Sequence, residues 1–130
     1  MAKALSDYIS ENLDLSAFEI DGLPAPVLDV DDRSHDVTVT YTFDGGRQLQ
    51  AYASHYKSEM RNQFSAGIRP QTFDGTFVRM SIMDILVFDR EDISRYGAKK
   101  FAEYAVTNLK AYIGFLSIPG NVEIMLEKCK

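Results

Sequence analysis

The stretch FVRMSIMDILVF, residues 77–88, carries apolar side chains on both sides of a period-two alternation. One side holds Val78, Met80, Ile82, Leu86 and Phe88, and the other holds Phe77, Met83, Ile85 and Val87. This pattern is typical of a strand that is covered on one face at its start and on both faces at its end. We therefore predict that Phe77–Phe88 is the central strand of a sheet, which the other elements cover.

The clearest strand signal outside this stretch lies in residues 36–43, where valines and aromatic residues alternate with threonines. The sequence Asp-Gly-Gly follows at 44–46 and supplies residues that tolerate a positive φ at a chain reversal. A three-residue loop pairs Tyr41 with Leu49 and keeps the apolar residues of the next strand on the core face. A two-residue loop would turn glutamines inward, so the three-residue hairpin is preferred.

An alternative interpretation of the same region is a single helix over residues 47–66. No Val, Ile or Thr occurs between Asp44 and Gly67, and one helical stripe collects several large residues: Leu49, Tyr52, Ala53, Tyr56, Met60 and Phe64. The turn residues behind a strong strand favour the hairpin. Both interpretations predict a helix from about residue 54 to residue 66, which Gly67 ends.

The remaining periodicities complete the predicted element order. They indicate helices over 2–13 and 89–116, a short strand over 27–30, a turn over 31–34 and a final strand over 122–126. Strands grouped together with helices to one side predict an α+β fold. We expect a single domain over residues 1–130, with an antiparallel sheet of about four to five strands and helices packed mainly on one face.

Charge is distributed unevenly along the chain. The net charge is −5, yet residues 1–46 hold ten acidic and two basic residues, whereas residues 47–130 hold nine acidic and twelve basic residues. An acidic total disfavours nucleic acid as a partner, because that binding requires Lys and Arg to neutralise phosphates. The acidic N-terminal part suggests a face for a basic partner protein, since charge layout governs association.

Compartment follows from cysteine use and hydropathy. Cys129 is the only cysteine, so no intramolecular disulfide can form. The N-terminal residues lack the apolar run of a signal peptide, and no stretch approaches the roughly 20 apolar residues of a membrane span. We therefore expect a cytoplasmic protein that has no membrane partner.

Cofactor motifs are missing from the sequence. The glycines match neither of the spacings that bring backbone amides onto nucleotide phosphates. The acidic run Asp29–Asp36 lacks the glycine turn and the final bidentate acid of a calcium loop, and Arg33 adds a competing positive charge. Two histidines and one distant cysteine do not meet the needs of a zinc site. The prediction is therefore no cofactor and no metal.

A few residues are candidates for chemistry. On the predicted helix, His55 and Glu59 lie four residues apart, a spacing that suits an oriented general base or a surface ion pair. Asp84 interrupts an apolar strand, where an isolated carboxylate costs several kcal/mol unless it is paired. These three residues are the catalytic candidates, and the ligand-binding candidates are the arginines that could pair with them: Arg61, Arg69 and Arg79.

Two functional hypotheses follow. The first is a small acidic binding or adaptor module without catalysis, which associates with a partner protein or with itself as a homodimer. The predicted edge strand 122–126 and the apolar stripe of the long helix would supply the dimer contact. The alternative is a small ligand-binding protein or enzyme that uses His55, Glu59 and Asp84 in a pocket.

Overall fold

The structure is a computed structural model that describes residues 5–20, 22–57, 62–78, 86–88 and 90–127. In these residues an antiparallel sheet combines with helices, and this confirms the α+β fold. The strands are β1 Val27–Asp31, β2 Asp36–Thr42, β3 Gln48–Lys57, β4 Asn62–Pro70 and β5 Leu86–Phe88. The helices are α1 Leu5–Asn12, α2 Arg90–Leu116 and α3 Asn121–Glu127, with a 3-10 turn at Leu15–Phe18.

The hydrophobic core lies between one face of the sheet and the helices. The strands follow one another across the sheet in sequence order, and each described pair is antiparallel. The inner face of the three middle strands is fully buried: Val37, Val39, Tyr41, Leu49, Ala51, Ala53, Phe64, Ala66 and Ile68. Helix α2 packs across β3 and β4, where the alanines leave room for the close approach of a helix, and α1 packs beside it.

The predicted β2–β3 hairpin is confirmed in its register. Tyr41 pairs with Leu49, and the Phe43 N–H donates to the Arg47 carbonyl at 2.8 Å. Gly45 and Gly46 both have φ of 86°, so the reversal uses the positive dihedrals that glycine supplies without strain. The alternation of residues 36–43 and the turn chemistry behind it were therefore sufficient to position this hairpin.

The helix predicted over residues 54–66 is wrong. Residues 54–57 continue β3 and residues 62–66 belong to β4, in which Gly67 pairs with Tyr52 instead of ending a helix. The buried inner-face residues of this stretch, His55, Phe64 and Ala66, fall on every second position of their strands, which is strand periodicity. Cross-strand pairing on both sides of β3 outweighs the weak strand propensity of its Ala, Ser and Gln residues.

Of the predicted central strand Phe77–Phe88, the described end Leu86–Phe88 lies at the edge of the described sheet, so this part of the prediction is wrong. Residues 79–85 lie outside the described part of the chain, Leu86–Phe88 pair with β4, and the Val78 N–H donates to the Pro70 carbonyl at the end of β4. Phe77 forms an isolated bridge with Gln71, and Leu86–Phe88 is the last strand in the sheet order. The central strand is β3, which lies between β2 and β4. The apolar content of residues 77–88 predicted a central position in the sheet, but the position of a strand is determined by which strands pair with it.

The predicted final strand over 122–126 is wrong as well, because this segment is helix α3. Val122 and Met125 are buried one helical turn apart, whereas Ile124 is 52% exposed. Gly120, with φ of 90°, precedes the helix, and its carbonyl accepts the Ile124 N–H at 3.1 Å. The expected sheet edge at 122–126 therefore does not exist, and the homodimer loses that proposed contact.

Other predicted elements are confirmed with small shifts of their ends. The first helix is observed at Leu5–Asn12, and the long helix runs without interruption from Arg90 to Leu116. The turn at residues 31–34 is stabilised by the Asp31 carboxylate, which accepts the backbone N–H groups of Arg33 and Ser34. These hydrogen bonds hold the pKa of Asp31 below its usual value. In the described residues no helix is both long enough and apolar enough to cross a bilayer.

Candidate functional site

A pair of histidines extends the β2–β3 ladder at the end opposite its turn. His35 lies one step beyond Asp36 and faces His55, whose backbone N–H donates to the His35 carbonyl at 3.1 Å. Their Nδ1 atoms are 3.2 Å apart, and both rings lie nearly parallel to the ring of Phe101 on α2. Phe64 meets His55 edge-on with centroids 4.8 Å apart. We call these four residues the aromatic cluster.

The contact between the imidazoles fixes their protonation chemistry. A hydrogen bond between two Nδ1 atoms requires one ring to donate and the other to accept. Two protonated rings would both donate and would repel each other, so the intact pair cannot hold both extra protons. His55 is only 7% exposed. A general-base role for its Nδ1 would require this internal contact to be broken.

Of the other residues predicted to bind or catalyse, only Arg69 lies in the described part of the chain. Glu59, Arg61, Arg79 and Asp84 lie outside the described residues. The helical His55–Glu59 spacing does not apply, because His55 is in a strand. Arg69 pairs with Gln50 on the outer face of the sheet, opposite to the inner face that holds His55. The sheet therefore separates the one described arginine candidate from the histidine.

Arg69 has a contact of its own on that outer face. Its guanidinium carbon lies 4.2 Å from the ring centroid of Tyr52, which is 1% exposed. This distance is that of a cation–π interaction, in which the ring face attracts the positive charge. This contact with Tyr52 gives Arg69 a structural role in packing on the outer face of the sheet.

The acidic run Asp29–Asp36 has structural contacts as well. Asp32 accepts both the backbone N–H and the hydroxyl of Ser6, at 2.8 and 3.1 Å, and so attaches α1 to the β1–β2 turn. The Ser34 hydroxyl donates to Asp36 at 2.7 Å. Within the described part of the chain no three His, Cys, Asp or Glu side chains converge as a metal site would require.

A cavity whose lining side chains are largely apolar lies at the opposite end of the sheet, and we call it the corner cleft. Three parts of the chain form it: residues 19–20 and 22–23 after the 3-10 turn, Phe43 beside the hairpin turn, and residues between 116 and 126 at the corner between α2 and α3. Its volume is about 540 Å³. The apolar lining consists of Ile20, Leu23, Phe43, Leu116, Ile118, Val122 and Leu126. Sequence reasoning missed this site because its walls are far apart in the chain.

The first wall of the corner cleft is fixed to the sheet by a buried tyrosine. The Tyr41 hydroxyl donates to the Phe18 carbonyl at 2.5 Å, and burial raises the pKa of Tyr41 well above its usual value. A tight turn then follows, in which the Leu23 N–H donates to the Ile20 carbonyl at 3.0 Å. This turn brings Ile20 and Leu23 to the cleft as half-buried side chains.

The second wall is α3, which Arg47 and Asn121 hold in place. Arg47 donates from Nη2 to the Leu126 carbonyl and from Nε to the Gln71 carbonyl, both at 2.5 Å. Asn121 donates from Nδ2 to the Phe115 carbonyl at 2.8 Å, near the end of α2. These bonds satisfy carbonyls that helix ends leave without intrahelical partners. Both ends of α3 are therefore attached to the body of the protein.

The charged groups on the corner cleft are of one sign. Glu19 and Glu123 line it, and both residues are exposed. The lining, which falls wholly within the described residues, contains no Lys, Arg or His. Ile118 is 54% exposed at its rim. The cleft thus presents an apolar floor and a negative rim.

Comparisons with protein families, with curated proteins and with solved structures find no match for this chain. The functional conclusions below therefore depend on the geometry of the chain itself. Of the features that sequence reasoning missed, the histidine pair had a usable signal. Extending the predicted hairpin register by two steps from Val37 and Ala53 places His35 opposite His55.

Proposed function

We propose that this chain is a binding module without catalysis, which associates with a partner protein by receiving apolar side chains of a basic segment in the corner cleft. The observation that carries the proposal is the combination of an apolar floor with a rim charged only by Glu19 and Glu123. Such a surface favours a ligand that is apolar in its body and positive at its edges.

The size and shape of the corner cleft favour a peptide segment. Its volume of about 540 Å³ falls within the range of about 300–1,000 Å³ usual for ligand sites. Its outer side is formed by exposed residues 117–120, so the cleft is open along one flank. An open apolar cleft suits side chains that project from a chain outside it, as in the grooves that bind amphipathic segments.

Long-range charge supports the same class of partner. The chain carries a net charge of −5, and the described acidic residues of α1 and β1 are exposed. A basic segment would therefore be attracted before contact, and its association rate would fall as salt screens the charges. A second copy of this chain would instead bring negative rims together, so we favour a basic partner over self-association at this site.

The alternative of an enzyme that uses His55, Glu59 and Asp84 receives less support. His55 is enclosed by the aromatic cluster, and its Nδ1 contacts His35. The described ligand-binding candidate Arg69 lies on the other face of the sheet. The geometry therefore favours association over catalysis.

The test is binding of a labelled basic peptide, measured by fluorescence anisotropy. The probe is a short peptide with two leucines among lysines, and its control has serines in place of the leucines. The leucine peptide should bind, and Glu19→Lys should weaken it more than Glu103→Lys, which makes the same charge change on an exposed residue of α2. If the two substitutions weaken binding equally, the attraction depends only on the net charge of the protein, and the assignment to the corner cleft is wrong.

An apolar pair of variants completes the test. Ile118→Ser at the rim should weaken binding, whereas Val27→Ser on β1 should not, although Val27 is also exposed, at 65% against 54% for Ile118. Light scattering on the same samples tests self-association against the monomer mass of 14.7 kDa. A dimer that Ile118→Ser dissociates would assign the corner cleft to a second copy and would refute the basic partner.

A further inference from the structure

A second depression adjoins the corner cleft, and we call it the tip groove. It is formed by the hairpin turn at residues 43–47 and by the loop at residues 71–75, and its volume is about 650 Å³. Phe43 and Leu126 line both the tip groove and the corner cleft. These two residues are therefore a shared ridge, and a bound chain that crosses it would contact both depressions.

Phe73 is the distinctive side chain of the tip groove. It is 73% exposed, the largest exposure among the large apolar side chains that are described. A phenylalanine exposed to this degree offers a partner apolar area that the fold itself does not bury, and aromatic side chains contribute strongly at interfaces. Its position at the rim of a groove gives it a neighbouring surface against which a partner side chain can pack.

The loop that carries Phe73 is ordered by its own hydrogen bonds. The Thr72 N–H donates to the Thr76 carbonyl at 2.7 Å, and Gly75 adopts φ of 95° to close the turn. The Asp74 carboxylate accepts the Thr72 hydroxyl and the Thr76 N–H. These bonds hold the pKa of Asp74 below its usual value, so this exposed group is negative at neutral pH. The loop thus presents Phe73 in a defined position beside a negative charge.

Arg47 connects the tip groove with the corner cleft. Its guanidinium carbon lies 4.2 Å from the ring centroid of Phe73, while its Nε and Nη2 donate to the carbonyls of Gln71 and Leu126. The one basic residue that lines the tip groove therefore has its charge directed toward groups of this chain. The carboxylates of Glu19, Glu123 and Asp74 remain as the outward charges of the combined surface.

We propose that one basic segment of a partner protein occupies both depressions, with one apolar anchor in the corner cleft and a second packed against Phe73. This inference rests on the proposed function and defines the partner further. The partner segment would carry two apolar anchors, and the residues between them would cross Phe43 and Leu126. Lysines or arginines near the anchors would face the three carboxylates. A second copy is a poorer occupant, because it would place those carboxylates opposite one another.

The experiment compares two labelled peptides of equal positive charge. One carries a leucine anchor and a phenylalanine anchor, and the other has serine in place of the phenylalanine. The two-anchor peptide should bind the wild-type protein about tenfold tighter or more, since burying one large apolar side chain is worth at least about a factor of ten. Phe73→Ser should remove that difference and leave the affinity of the one-anchor peptide unchanged.

The variants separate the two proposals. Ile118→Ser should weaken both peptides, and Val27→Ser should weaken neither. Suppose that Phe73→Ser preserves the affinity difference between the two peptides while Ile118→Ser weakens the binding of both. The proposed contact with Phe73 is then wrong, and the proposed binding in the corner cleft is supported. If neither peptide binds the wild-type protein, both the proposed function and the proposed contact with Phe73 are wrong.

Discussion

The two ends of the sheet differ in how their side chains are covered. At one end the aromatic cluster of His35, His55, Phe64 and Phe101 packs ring against ring, with centroids 4.8 to 5.9 Å apart. At the other end the hairpin turn and α3 border two open depressions that share Phe43 and Leu126 in their linings. The end that carries the two histidines is closed, and the end that carries the exposed Phe73 and Ile118 is open. Burial, more than residue type, is therefore the reason we propose the open end as the binding site.

Helix α2 runs between these ends and contributes to both. Phe101 belongs to the aromatic cluster, while Leu116 lines the corner cleft. Substitutions along α2 and at the two ends should therefore separate stability from binding. The closed end should respond mainly in the free energy of unfolding, and the open end mainly in affinity.

The largest effect is expected for Phe101→Ala at the closed end. Phe101 is 0% exposed, and removing a buried phenylalanine ring costs about 3–5 kcal/mol. Urea unfolding should show this loss, whereas Ile118→Ser at the open end should change stability by less than about 0.5 kcal/mol. Similar losses for the two variants would remove the distinction between the ends.

The next effect concerns Arg47, the residue of the open end that also stabilises the fold. Arg47→Lys should lower the free energy of unfolding by about 1–3 kcal/mol, because a lysine cannot donate in two fixed directions to the Gln71 and Leu126 carbonyls. Arg33→Lys, at an exposed turn, is the control. An unfolding curve for Arg47→Lys that matches the control would show that α3 does not depend on this contact.

A smaller effect separates two tyrosines on the same helix. The Tyr112 hydroxyl donates to the Ala66 carbonyl at 3.0 Å, and Tyr112→Phe should cost about 1 kcal/mol. The Tyr104 hydroxyl is buried and has no hydrogen-bond partner among the described residues. Tyr104→Phe should therefore be neutral or slightly stabilising in thermal unfolding at neutral pH. A larger loss for Tyr104→Phe than for Tyr112→Phe would contradict these assignments.

The smallest effect expected at neutral pH is that of Tyr104→Phe, and the role of Tyr104 can be measured at alkaline pH. Burial, followed by the nearby Tyr112 and Tyr52 hydroxyls, raises the pKa of Tyr104 to about 12 from the ordinary value of 10.0. Because the folded state favours the neutral form, this contribution to stability is complete below pH 10 and is lost as the pH rises through about 12. Absorbance titration should show late ionisation of Tyr104 and, at still higher pH, of Tyr41, and Tyr104→Phe should remove only the step near pH 12. Persistence of that late step in Tyr104→Phe would assign it to another residue.

Sequence patterns predicted the hairpin and the long helix because each has one strong periodicity with a defined end. They failed over residues 54–66, where Tyr52, Tyr56 and Phe64 match a helical stripe by chance and the pairing partners are distant. They failed at 122–126 because a stretch of five residues fits either period, and the contact from Arg47 that holds this segment comes from far along the chain. Local pattern thus predicts an element only where no tertiary contact overrides it.

The candidate sites show the same limit. The histidine pair follows from a hairpin register that the sequence already predicts, so it was accessible from Val37 and Ala53 by counting. The corner cleft joins residues 19–20 and 22–23, Phe43 and residues between 116 and 126, and no spacing rule connects these segments. A cleft is created by the packing of elements, and its recognition required the fold.

The most direct measurement is a titration of isotope-labelled protein with the basic leucine peptide, followed by amide chemical shifts. Saturable shifts should concentrate at Ile20, Leu23, Phe43 and the residues of α3, while the amides of His35 and His55 remain in place. Shifts confined to the acidic run Asp29–Asp36 would show attraction by net charge without use of the corner cleft. That pattern would contradict a binding site at the open end of the sheet. Equal shifts at the corner cleft with the serine control peptide would contradict it as well.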